Sequence, residues 1–410
     1  MVSIHSRPRL RSVEVTVVRD VRLGRIIVLH DAERIASSDC AVSIALAPIL
    51  FRFAGELTCE EIAEQVSVER REPVTTDLVI GLARDLEERS FVFGAPFHAA
   101  RARIKGAFAS APVRDATHAG SAYYGDPQKL ASYIEKDCFG VATGKLREGK
   151  LVGLVAPHID PWRGARCYGE AYGVIGRSIP KDVDTFVIFG TSHAPMTMPF
   201  ALCRKAFATP FGRVAADHES IDAIARACDF DPYADEFNHK REHSLEFQIV
   251  FLRHLLGDRP MRIIPILAGL SEHQARGESP SASRGVERFF EAVRGVVRDK
   301  RAVVVAGADL AHVGPRFGDE RALADHERDA LDRIDHESLD HAARRDAEGF
   351  FRHVARDLDT RRVCGLAPVY SLLRTVSEAA RGALAHYEQN VDPEEGSIVS
   401  HAAMGFYETG

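Results

Sequence analysis

Leu151-Val152-Gly153-Leu154-Val155-Ala156-Pro157-His158-Ile159-Asp160 reads as an apolar β-strand that runs straight into a histidine and an aspartate. Two later stretches repeat the pattern. Thr185-Phe186-Val187-Ile188-Phe189-Gly190 leads into Thr191-Ser192-His193, and Ala302-Val303-Val304-Val305-Ala306-Gly307 leads into Ala308-Asp309-Leu310-Ala311-His312. A fourth apolar strand is expected over 261–268. Amphipathic helices are expected near 167–178, 218–228, 243–256, 286–299 and 320–334. Strands alternating with helices predict an α/β fold, a central β-sheet flanked by helices. If the strands are parallel, His158, His193, Asp309 and His312 face one crevice at their C-terminal ends, where open α/β sheets place ligands.

Working outward, the chain has 410 residues, enough for more than one domain. Residues 13–30 alternate as a hairpin, with Gly24 between its strands. Helices are expected over 44–53, from Thr58 (with Glu61 completing a capping box), and over 75–88, followed by a short strand at Phe91-Val92-Phe93. This describes a small α+β unit of winged-helix type over residues 1–100. The Ala- and Arg-rich stretch 101–113 reads as a linker, and 114–410 as the main domain. The stretch 271–284, rich in Ser, Gly, Arg and Glu, reads as an exposed loop.

Composition excludes some classes. A net charge of −6 and the lack of a basic stripe give no reason to expect nucleic acid. No apolar run approaches a membrane span, and the first residues lack the apolar core of a signal peptide. The seven cysteines are scattered and odd in number, which suits reduced thiols in the cytoplasm.

Cys364 precedes the apolar helical run Leu366 to Leu373. A cysteine near a helix N-terminus is favoured as thiolate, the form that ligates metal, although a free cysteine is equally at home as an inert core residue. His239-Lys240-Arg241-Glu242-His243 matches H-x-x-E-H, a zinc-protease pattern that needs both histidines on one helical face. The helix is expected to start near His243, so His239 falls in the preceding loop, and Glu242 and His243 border the crevice.

In this order the segments resemble the Memo family, including the proteins called AmmeMemoRadiSam system protein B. The segments are Arg114 to Ser121, Ala156-Pro157-His158, Gly190-Thr191-Ser192-His193, Glu242-His243-Ser244-Leu245-Glu246, Asp309-Leu310-Ala311-His312, Cys364-Gly365 and Ser397 to Met404. The first unit is similar to small peptide-chaperone domains of the PqqD type. The family's fold is similar to that of class III extradiol dioxygenases, which use non-haem iron. The resemblance therefore implies a metal site of His158, His193 and Cys364, holding copper, iron or zinc. It implies His312 as acid–base residue oriented by Asp309, with Asp160, Glu242 and His243 lining the site. It further implies redox-related or dioxygenase-like chemistry on a small molecule. The alternative is a non-catalytic metal- or peptide-binding scaffold acting with a radical-SAM partner. This sequence departs from the family pattern in having Ile159-Asp160-Pro161 after His158, Ala194 after His193, and Ala122 after Ser121.

Overall fold

Thr58 shows how local chemistry sets the elements. Its hydroxyl accepts from the Glu61 amide (3.2 Å) while Glu61 Oε2 accepts from the Thr58 amide (2.7 Å), and a helix starts at Cys59. Thr58→Ala removes one half of this box and is expected to destabilise the first unit by about 1 kcal/mol, read by chemical denaturation. The computed structural model describes residues 2–20, 24–31, 33–270, 273, 276–356, 358 and 360–408. The chain divides into two compact units, Met1–Ser110 and Ala111–Gly410.

In the first unit β1 (Glu14–Asp20), β2 (Gly24–His30) and β3 (Cys40–Ser43) form an antiparallel sheet in that order. The connection at 21–23 lies outside the described residues. α1 (Ala47–Leu50) is shorter than the helix expected over 44–53, because residues 44–46 form a 3-10 turn and Pro48 fixes its first turn. α2 (Cys59–Arg70) and α3 (Thr76–Glu88) pack Ile62, Val66, Val79 and Leu86 against Ile27 and Leu29. Phe91–Phe93 is not a strand: Val92 makes a single bridge to Leu10. The stretch 101–113 also differs from its expectation, since α4 (Ala95–Ser110) carries most of it. Alanine, arginine and lysine are strong helix formers, and buried Phe97 and Phe108 pin the two ends.

The second unit is built on one mixed sheet. Its elements are β4 (Val113–Arg114), α5 (Pro127–Tyr133), β5 (Lys150–Ala156), α6 (Ala165–Tyr168), β6 (Thr185–Thr191), β7 (Phe200–Leu202), β8 (Ala206–Thr209), β9 (Gly212–Ala216), α7 (His218–Ala227), α8 (His243–Leu256), β10 (Arg262–Ala268), α9 (Arg284–Lys300), β11 (Val303–Gly307), β12 (Asp309–Val313), α10 (Asp325–Ala343), α11 (Ala347–Ala355), α12 (Leu366–Thr375), β13 (Arg381–Val391) and β14 (Ile398–Glu408). The order is β12-β14-β5-β11-β6-β10-β9-β8-β4, with β13 paired to β14 and β7 to β10. The expected helix near 167–178 is α6 continued by a π segment (Gly169–Val174) and a 3-10 turn. Of the expected loop 271–284, residues 271, 272, 274 and 275 lie outside the described residues.

β5, β11, β6 and β10 run parallel. Val187, Phe189, Ile264 and Val304 face one core, shared with α9, α11 and α12, while Leu154, Phe186, Ile188 and Val305 face another, shared with α8. Helices on both faces explain why these strands read as unbroken apolar runs. Gly307 lies opposite both Ala156 and Gly190, so β5, β11 and β6 end level with one another. After Gly307 the chain turns back as β12, antiparallel to β14. Among the described residues no helix is long and apolar enough to cross a membrane.

Candidate metal centre

His158 leaves β5 two residues past its end. Its backbone amide donates to Asp309 Oδ1 (2.9 Å), and its ring Nδ1 donates to the Gly307 carbonyl (3.0 Å). The carbonyl fixes the tautomer, so Nε2 carries the lone pair, with Cys364 Sγ 3.2 Å from it. His193 follows β6, and its amide and its Nδ1 both meet the Glu242 carboxylate, at 2.9 and 3.0 Å. Glu242 also accepts from the Ser244 amide (3.0 Å) and caps α8, which brings His243, the first helical residue, over the strand ends. The His243 ring stacks on His193 (centroids 4.5 Å apart) and stands perpendicular to His158 (5.3 Å).

Electrostatics separate His193 from His243. Burial works against a charge on His193, but attraction and hydrogen bonding from Glu242 outweigh it and raise its pKa. Burial drives His243 down to about 3, with the neighbouring imidazoles adding and Glu242 offsetting only part. Burial opposes ionisation of Glu242, yet His193, His243 and the His193 amide hold it well below the usual carboxylate range.

Side-chain donors of His158, His193 and His243 all lie within 4.8 Å of one another. Among the described residues this is the one trio of His, Cys, Asp or Glu that converges so closely. The third member is thus His243, expected only as a lining residue. Cys364 stands just before α12, with Sγ 3.2 Å from His158 Nε2, at the margin of the trio rather than within it. Its backbone is tied down: Thr191 Oγ1 donates to its carbonyl (2.7 Å), and the next amide, of Gly365, donates to the Asp309 carbonyl (2.9 Å).

One expected pairing needs correcting. Asp309 makes no hydrogen bond to His312, although both line the cleft. Its carboxylate serves the His158 amide and lies 3.7 Å from His158 Nε2, while His312 Nδ1 donates to the Leu310 carbonyl (3.2 Å). The β14 partners of Asp309 and His312, His401 and Val399, are two residues apart, so the irregularity in β12 leaves both side chains on one face without a hydrogen bond between them. The two histidines of H-x-x-E-H part company: His239, expected in a loop, lies in a 3-10 helix (Glu236–Lys240) and is buried against the Ala201 carbonyl (3.0 Å), while His243 is in the cleft.

A profile described as Memo-like protein matches residues 114–405. The chain belongs to the Memo family. A MEMO1 family protein of Aquifex aeolicus is 27% identical over 297 residues, covering 72% of this chain and 73% of that protein. One from Archaeoglobus fulgidus is 26% identical over 290 residues, covering 70% and 97%. A solved structure of an uncharacterized Escherichia coli K12 protein aligns with TM-score 0.32 and 10% identity over 62% of this chain and 99% of that one, a likeness too slight to carry weight.

In this Memo-family chain the trio opens into a cleft of about 300 Å³. Ile159, Phe247, Phe317 and Val399 give it apolar walls, and Asp160, Arg163, Arg316 and His312 give it a polar rim. His118, which was not singled out from the sequence, also lines it. Glu246 accepts from both its Nδ1 (2.9 Å) and its amide (3.0 Å). Buried Arg114 and Tyr123 also bind Glu246. The signal was present in the spacing: Glu242 caps α8 and Glu246 lies in its first turn, so both carboxylates sit at the helix start, each holding an imidazole.

Glu242→Gln keeps the volume but not the charge that orients His193. It is expected to weaken metal binding about 10–100-fold, read by competition with a chromophoric chelator.

Proposed function

We propose that this protein holds a transition-metal ion through His158, His193 and His243 and acts in metal-dependent, redox-related chemistry on a small molecule in the cleft. The observation that carries the reading is the convergence of three imidazoles within 4.8 Å. Two of them have Nδ1 tied to acceptors, the outer-shell arrangement that orients histidines for ligation. Copper, iron and zinc all accept imidazole, and the Cys364 thiol beside His158 adds a soft donor that favours Cu(I) or Zn. Such an ion supplies Lewis acidity or electron transfer.

The chain's own residues do the rest. The apolar walls partly exclude water, and Arg163 and Arg316 present guanidinium groups at the rim. With Nδ1 on the Leu310 carbonyl, His312 keeps Nε2 free to accept a proton from a bound molecule or return one, as a general base and acid does. Asp309 keeps the His158 segment in place. All seven cysteines are free, five of them buried, which supports a reducing, cytoplasmic setting.

A second reading is a non-catalytic metal- or peptide-binding scaffold, including one that works with a radical-SAM protein. It is favoured by an aromatic patch. Tyr124 and Trp162, 42% and 39% exposed, pack edge to face at 4.8 Å, and Trp162 precedes the cleft residue Arg163. Elemental analysis of protein purified without added metal, followed by oxygen uptake with candidate phenolic substrates, tests the proposal. Near-stoichiometric metal with substrate-dependent oxygen uptake supports it. Metal without turnover leaves the scaffold, and absence of metal in any preparation rejects both metal readings.

A further inference from the structure

The segment Ser397 to Met404 contributes His401, a residue the proposed metal site does not use. Its side chain is 0% exposed, and no protein group among the described residues hydrogen-bonds either ring nitrogen. Buried polar groups in native proteins find partners, so each nitrogen calls for a water molecule or a mobile polar neighbour.

Strand pairing supplies such neighbours. On β14, His401 lies opposite Asp309 of β12 on one side and Glu388 of β13 on the other. Directly opposed residues of antiparallel strands share a face, with Cβ atoms about 4.5–5.5 Å apart. Asp309, His401 and Glu388 thus make a transverse row of titratable side chains. The row starts at the cleft, which Asp309 lines, passes through a fully buried imidazole, and ends on β13, which among the described residues pairs only with β14. There the Glu388 side chain is 35% exposed and 3.2 Å from His386. Burial lowers the His401 pKa, with His386 and Arg163 adding, and the attraction of Asp309 and Glu388 offsets only part of this.

We propose that His401 is a buried proton carrier that sits beside the cleft carboxylate Asp309 and exchanges its proton with solvent at the sheet edge through Glu388. A proton passes from solvent at the edge to the Glu388 carboxylate and on to one ring nitrogen. The other nitrogen gives its proton to the Asp309 carboxylate, and Asp309 yields it to a water or bound molecule in the cleft, so every bond to hydrogen that forms is matched by one that breaks. This gives the cleft floor a proton route that stays open when a bound molecule fills the mouth. That the cleft uses the proton rests on the metal-site reading; the exchange route does not.

The test is solvent exchange of histidine ring protons, measured by NMR on the full-length protein with ¹⁵N-labelled histidine. The His401 signal is assigned by its loss in His401→Gln, or, should that variant fail to fold, by through-bond and through-space connectivities in the wild-type protein. Glu388 is half-exposed on an edge strand, so substitutions there spare the core. Glu388→Leu is expected to slow His401 exchange at least about 10-fold, the scale of losing a positioned acid–base group, while Glu388→Asp stays near the wild-type rate. The His158 ring proton, held on the Gly307 carbonyl, should be unchanged in both. An unaltered His401 rate in Glu388→Leu overturns the proposal, as does equal slowing of His158 and His401. If the protein binds no metal but exchange still depends on Glu388, the route stands and the metal reading falls.

Discussion

Arg114→Leu is expected to destabilise the second unit by about 3–5 kcal/mol, the range for breaking a buried ion pair from one side. Arg114 is 1% exposed. It pairs with Glu246 and donates to the carbonyls of His239 (2.9 Å), Glu242 (2.9 Å) and Asp115 (2.7 Å). Leucine fills much of the volume but leaves Glu246 charged and buried. The double variant Arg114→Leu/Glu246→Leu is expected to recover much of the loss, since no orphan charge remains. Urea denaturation followed by Trp162, the one tryptophan, reads the second unit alone. A loss below about 1 kcal/mol would show the pair to be dispensable.

The same pair carries a pH signature. Burial alone would raise the Glu246 pKa, but Arg114, His118 and Tyr123 bring it down to about 2, against an ordinary 4.5. A carboxylate depressed on folding stabilises fully above its unfolded pKa. Its contribution is lost as pH falls from 4.5 toward 2. Arg114→Leu should flatten the stability profile in that window.

His158→Ala is expected to lower metal affinity by at least about 100-fold, more than the loss of an outer-shell partner. The removed ring is the most buried of the trio, 2% exposed, and the backbone holds it at Nδ1. Cys364→Ser should be milder for zinc or iron and severe for Cu(I), because it exchanges a soft donor for a hard one at the margin of the trio. Competition titrations with each metal read both effects.

The strand ends were legible because buried parallel strands need long apolar runs, and His158 and His193 follow such runs closely. His243 was visible as a helix start bordering the crevice, not as a ligand. What makes it a candidate ligand is tertiary: Glu242 caps α8 and grips His193 at once, and periodicity carries no trace of that grip. The approach also depends on glycine. A Cβ on Gly307 would stand 2.2 Å from the Ser244 carbonyl, and one on Gly365 would stand 2.2 Å from the Asp309 carbonyl. These contacts bring α8 and the Cys364 segment against the strand ends, and no sequence pattern announces them. The spacing Asp309-x-x-His312 suggested a pair, and the irregularity in β12 does leave both side chains on one face, but His312 turns Nδ1 to the Leu310 carbonyl while Asp309 serves the His158 amide. Helix α4 was missed because it buries only Phe97 and Phe108, too few apolar positions to mark a face.

The most direct test is an anomalous-scattering map from crystals of the protein loaded with zinc, collected on both sides of the zinc absorption edge. The account predicts one strong peak in the cleft, bounded by the rings of His158, His193 and His243, that vanishes in the triple alanine variant. A map with no peak in the cleft, or with its strongest peak away from these three rings, would contradict it.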